Sequence, residues 1–187
     1  MWRQWKTHAI LSIAIMVAAG VILFLMGRVP FCRCGMVSVW SSDISSNQQS
    51  QQLADPYTVT HVIHGALFYG LLWLLVGARV SVPTRFVLAV MLEAGWEILE
   101  NTELVINRYR EATIALGYYG DSIMNSMGDI VAMMLGFWLA SRLSVRATIL
   151  GAIALDAILL LTIRDSLAVN ILMLIYPSEL IKHWQLR

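Results

Sequence analysis

The chain has 187 residues, 58% of them hydrophobic and 13% charged, with a formal net charge of +1. Its mean hydropathy of +0.69 goes with an apolar content well above the roughly 45–50% of soluble domains. The near-neutral balance excludes a strongly basic nucleic-acid binder, and the repeated apolar runs predict one integral membrane domain over residues 1–187.

Trp2, Arg3, Trp5 and Lys6 form an amphipathic flank suited to a membrane interface, ahead of an uncharged apolar run, Ala9–Met26. That run is too long for a signal-peptide core, and Met26-Gly27-Arg28 is not a small-x-small cleavage site, so an uncleaved transmembrane helix is expected over about 9–26. Residues 28–56 are rich in Ser, Gln and Asn and read as a non-cytoplasmic loop folded over the mouth of the domain. A second helix is expected over about 57–76. Pro83 opens a third over about 84–107, and a polar connector, Arg108–Gly117, leads to a fourth over about 118–140 and a fifth over 145–163. Leu167–Tyr176 is apolar for only ten residues and is stopped by Pro177, so segment 166–187 is expected to hold a short re-entrant or interfacial helix. The fold class is therefore all-α, a polytopic membrane helix bundle with five transmembrane helices plus that short C-terminal helix.

With the N-terminus in the cytoplasm, Arg3, Lys6, Arg79, Arg85, Arg142 and Arg146 lie at inner ends, unaccompanied by any Asp or Glu. Arg28, Arg33, Arg108, Arg110 and Arg164 fall outside, but four of the inner arginines sit in the two shortest loops, where the positive-inside rule weighs most. The long loop then faces the periplasm or the exterior.

The third helix carries the chemistry. Glu93, Glu97 and Glu100 stand at i, i+4 and i+7, followed by Asn101, and share one face that lipid does not tolerate. His61 and His64 on the second helix, Asp121, Asn125 and Asp129 on the fourth, and Asp156 and Arg164 on the fifth all fall in the outer half of their helices. Any one of these residues is more readily read as a polar contact between helices. The set together is an expensive way to hold a bundle, and points to a site.

His61 and His64, three residues apart, can share a face, and a carboxylate from Glu93, Glu97 or Asp121 would complete a mixed nitrogen–oxygen site for one divalent zinc or iron ion. The same groups can instead transfer protons, with Glu97, Asp121 and His61 as the candidate catalytic residues. An aspartic dyad of Asp121 and Asp129 is excluded by their separation of about 12 Å along one helix. Cys32 and Cys34 flank one residue just outside the first helix. A bond between them is strained and redox-labile, and a plain structural role, pairing with a partner protein or a bare two-thiolate metal site fits the same residues. The aromatics Trp40, Tyr57, Tyr118, Tyr119, Tyr176 and Trp184 fit interfacial anchors, and the methionines of helix four fit packing.

Cys32-Arg33-Cys34-Gly35, Thr60-His61-Val62-Ile63-His64-Gly65, Gly95-Trp96-Glu97-Ile98-Leu99-Glu100-Asn101, Arg108-Tyr109-Arg110 and Tyr119-Gly120-Asp121-Ser122 resemble a multi-pass inner-membrane family of alphaproteobacteria over nearly the whole chain. The resemblance implies location and no particular reaction. The family pattern carries His and Trp where this chain has Gln52 and Pro56, which removes a third loop histidine from any metal scheme. Over about a third of the chain, Glu97, Arg108 or Arg110, Asp121, Asn125 and Gly128 also resemble VanZ-like membrane domains, with Asp129 as a departure. That likeness implies a role at the cell envelope.

Three functions follow. The first is an outer-leaflet pocket that binds or processes a lipid-linked or anionic headgroup ligand, held by Arg108, Arg110, Asn101 and Asn125. The second is a non-enzymatic membrane subunit or assembly factor whose polar core only orders the helices. The third is a proton or ion pathway.

Overall fold

The computed structural model describes residues 2–115 and 117–186, with the backbone alone for residues 2–5 and 78. The side chains of Trp2, Arg3 and Trp5, the expected interfacial flank, therefore lie outside the described residues. The described chain is helical: α1 (Trp2–Leu25), α2 (Thr58–Val76), α3 (Val82–Glu100), α4 (Glu103–Ala112), α5 (Ile123–Arg142), α6 (Val145–Ile163), α7 (Leu167–Ile175) and α8 (Glu179–Gln185). Hydroxyl side chains set five of the starts. Ser81, Thr102, Ser122, Ser144 and Ser166 each accept a hydrogen bond from the backbone N–H three residues on.

Among the described residues, four helices are long and apolar enough to cross a membrane: Lys6–Leu25, Thr58–Val76, Ile123–Arg142 and Val145–Ile163. The expected count of five falls to four on those terms, because Arg85, Glu93, Glu97 and Glu100 break the apolar character of α3. The third helix also stops earlier than Asn107. Asn101 ends it and Thr102 opens α4, so Arg108 and Arg110 stand on a helix and not in a loose connector. The helix expected from Tyr118 starts at Ile123, where Ser122 caps it. The C-terminal segment folds as two short helices, α7 of 9 residues and α8 of 7.

The centre of the bundle is the crossing of α2 and α5, and two glycines make it close. A Cβ at Gly65 would overlap the Met133 carbonyl, and one at Gly136 would overlap the Val62 carbonyl. Helices without side chains at the crossing approach until their backbones touch, which maximises dispersion contact. α3 packs against this pair and against α1, closing a core of Ala19, Leu72, Val90, Ile130, Met133 and Phe137. Arg85, expected as a flank at an inner helix end, is instead buried beside that core, with its guanidinium 5.4 Å from the centroid of the Tyr69 ring. α6 lies beside α2 and buries Leu159 alone among its described residues.

Loop 28–56, α4, α7 and α8 all gather at one end of the bundle. The loop is tied to the start of α5: Ser122 N–H donates to the Ser50 carbonyl at 2.9 Å, Ile123 N–H to Val29 at 2.8 Å, and Asn125 Nδ2 to Gln52 at 3.0 Å. Gln51 Nε2 returns a bond of 2.8 Å to the Gly120 carbonyl. The otherwise unpaired N–H groups of the first turn of α5 thus find carbonyls in the loop. A Cβ at Gly128 would strike the Leu53 carbonyl, so glycine there lets the loop lie on the helix.

Candidate functional site

Under this loop lies a cavity of about 540 Å³ between α2, α3, α4, α5 and α7. One side is polar, with His61, Glu100, Asp121, Asp129 and Asp165. The other is apolar, with Leu67, Leu71, Leu92 and Leu99, each also 42–53% exposed on the outer face of the bundle. α7 closes the top through Leu167, Ile171 and Leu174. Its N-terminus is held by Asp156 Oδ1, which accepts from Leu167 N–H at 2.8 Å.

At the polar end, His61 Nδ1 makes a short contact with Glu93, and His64 Nδ1 lies 3.2 Å from both oxygens of the same carboxylate. Glu97 Oε1 is 3.5 Å from His61 Nδ1, and Asp129 Oδ2 is 3.8 Å from His61 Nε2. One helical face of α3 delivers Glu93 and Glu97 to the imidazole, while the second turn of α5 delivers Asp129 from the opposite side. Nearer the loop, Asp121 accepts from Asn101 Nδ2 at 2.8 Å and from the Tyr118 hydroxyl at 2.9 Å.

Burial pushes the Asp121 carboxyl up to about 6, against these bonds, which favour its charged form. Burial also raises Asp55, opposed by its bonds from the Ser50, Tyr57 and Thr58 N–H groups. The Tyr118 hydroxyl is raised well above its usual range by burial and by the Asp121 carboxylate.

Among the described residues three groups of potential metal ligands result, each with one atom per residue lying within 4.8 Å of the others: His61 with His64 and Glu93, His61 with Glu97 and Asp129, and Glu97 with Glu100 and Asp121. His61, Glu97 and Asp121 are thereby linked in a chain through Glu97. Asn101 and Asn125 are buried but do not line the cavity; they tie α3 and α5 to the loops. Arg108 and Arg110 do not line it either. Arg108 donates from Nε and Nη2 to the Leu174 carbonyl at 2.8 and 2.6 Å, and Arg110 donates from Nε to the Tyr118 carbonyl. Of these arginines, expected to grip an anion, Arg108 holds α7 over the cavity and Arg110 holds the segment that leads into α5. Arg164 ends α6 in a left-handed conformation and lies outside the cavity. Cys32 and Cys34 are joined in a disulfide, also away from it.

On sequence, Glu100 and Asp129 belong to the convergent polar set with no role of their own, while Asp165, Tyr109 and Tyr118 stand outside it. For Asp129 and Glu100 the signal was present, since each continues a polar stripe already recognised on its helix. For Asp165 and the tyrosines it was not, because their positions depend on how α4 and α7 fold back.

Over the described residues, fold and site together define an all-helical protein with four helices fit to cross a membrane and a buried histidine–carboxylate cluster beside a half-apolar cavity. A family model described as "Protein of unknown function (DUF2585)" matches residues 23–187, and the chain belongs to that family. Relatives carry the name UPF0314 protein. One from Rhizobium etli is 49% identical over 183 residues, covering 98% of this chain and 93% of the relative. Another from Paracoccus denitrificans is 47% identical over 171 residues, covering 91% and 88%. A third from Sphingopyxis alaskensis is 45% identical over 181 residues, covering 96% and 95%. No solved structure matches the chain.

Proposed function

We propose that this chain is an inner-membrane envelope protein, N-terminus in the cytoplasm, whose outer-leaflet cavity takes one lipid-like amphiphile laterally from the bilayer. α3 serves as the fifth crossing, with its carboxylate face turned inward. The amphiphile's chain lies along Leu67, Leu71, Leu92 and Leu99, and its polar end meets His61, Asp121 and Asp129. The observation that carries this is the two-sidedness of the cavity: the apolar wall is continuous with the outer face of the bundle, and the ionisable groups sit at the closed end.

Among the described residues no Lys or Arg lines the cavity, so the polar end that fits is hydroxyl- or amine-bearing, in place of the anionic group expected from Arg108 and Arg110. Hydroxyls and amines donate to carboxylates, whereas a bare phosphate would be repelled by them. Asp121, with its carboxyl near 6, is the group able to give or take a proton at that end, with His61 and Glu97 beside it. The likeness to VanZ-like domains fits an envelope setting and adds no reaction.

The test is lipid extraction and mass spectrometry of protein purified in mild detergent. One amphiphile species is expected at least tenfold enriched over the bulk membrane lipids, and Leu71→Trp, which fills the lateral opening, should reduce that enrichment at least fivefold. A lipid profile matching the bulk membrane would sink the reading.

A further inference from the structure

We infer that His61, Glu97 and Asp129 form a binding site for one divalent first-row transition ion. Three carboxylates surround one imidazole here, and they are not equally satisfied. Glu93 already has partners: His61 Nδ1, and His64 Nδ1 at 3.2 Å. Both oxygens of Glu97 and Oδ1 of Asp129 have no hydrogen-bond partner among the described residues, although Glu97 is fully buried and Asp129 is 4% exposed. A carboxylate taken out of water without a donor is strongly unfavourable, and either a proton or a bound cation relieves it.

The geometry of His61 adds a second, independent sign. Glu93 on Nδ1 fixes the ring orientation and directs Nε2 toward Asp129, whose Oδ2 is 3.8 Å away. A carboxylate behind the imidazole and a free ring nitrogen in front is the support that metal-binding histidines receive. One imidazole with two carboxylates suits manganese, iron or zinc better than magnesium or calcium, which prefer oxygen alone. His61 and Asp129 both line the cavity, so the ion would face it with coordination positions open to a ligand.

The site differs from the set of His61, His64 and Glu93 expected from the sequence, in which the carboxylate is already occupied by the two rings. It also goes beyond the amphiphile reading and does not rest on it: a lipid extraction that finds nothing leaves the metal measurement intact.

The full chain in detergent is stripped with EDTA and titrated with Co²⁺. One equivalent per chain is expected, with a visible d–d band and a thermal midpoint raised by excess Co²⁺. Asp129→Asn and Glu97→Gln should each weaken binding at least tenfold, and Glu93→Gln by about 10- to 100-fold through the loosened imidazole. His64→Gln should change it less than twofold. Where a variant does not fold, the wild-type stoichiometry and thermal shift decide. Wild-type protein that takes up no Co²⁺ overturns the site. So does binding that survives Asp129→Asn and is lost in His64→Gln, which places the ion on the other side of His61.

Discussion

Asn101 and Asp121 exchange two hydrogen bonds: Asn101 Nδ2 donates to Asp121 Oδ2 at 2.8 Å, and Asp121 N–H donates to Asn101 Oδ1 at 2.7 Å. The pair joins the C-terminal end of α3 to the segment that leads into α5, and both residues are buried. Removing the amide leaves a buried N–H and a buried carboxylate oxygen without this partner. Asn101→Ala should therefore cost about 1–3 kcal/mol, read as a lower thermal midpoint in detergent. An unchanged midpoint would show that the junction does not hold these elements together.

Asp121 also makes stability depend on pH. Its folded value near 6 lies above the ordinary 3.8, so the native state holds the proton more tightly than the unfolded chain. Its contribution is then full below about pH 4 and is lost as pH rises through 6. Asp121→Asn should flatten the fall in thermal midpoint between pH 4 and 6. Parallel curves for wild type and variant would remove Asp121 as the titrating group.

The α2–α5 crossing predicts a contrast between two glycines. Gly136→Ala forces a methyl into the Val62 carbonyl and should cost about 1–3 kcal/mol by overpacking. Gly151 on α6 has open space around it, so Gly151→Ala should be neutral or stabilising by up to about 1 kcal/mol from helix propensity. Size-exclusion profiles and thermal midpoints of the two variants give the comparison, and equal losses would show that close approach is not what Gly136 provides.

Arg108 reaches Leu174 on α7, across the top of the cavity. Arg108→Ala should loosen that helix by about 1.4 kcal/mol, a tenfold faster amide exchange over residues 167–175. Exchange should stay unchanged in α5. If the whole chain exchanged faster instead, Arg108 would be holding more than the roof.

Much of this architecture was readable from the residues themselves. The helices α1, α2 and α6 are apolar over most of their length, and α6 spans the expected 145–163, α2 starts one residue later than expected, and α1 reaches back to Trp2. That Glu93 and Glu97 share one face, and His61 and His64 another, followed from helical spacing, since residues three and four apart lie together; that the two faces meet rested on the expected topology. What could not be read was anything that depends on a chain reversal. The break at Asn101 and Thr102 puts Arg108 and Arg110 on a new helix axis, where Arg108 braces α7 and Arg110 ties down the segment before α5. Likewise, burial of Gln51 and Gln52 depends on carbonyl and N–H partners about seventy residues away, which no local pattern announces.

That last pairing has a consequence for biosynthesis. Gln51 and Gly120, which bond to each other, are separated by 69 residues, and Gln52 and Asn125 by 73. On the proposed topology, the exported stretch after α1 waits on the far side of the membrane while α2 and α3 are still being inserted. It acquires its resting place only when the start of α5 arrives. The chamber is then sealed late in translation, and a ribosome stalled before residue 121 would leave those glutamines wet and the acidic face of α3 without a lid.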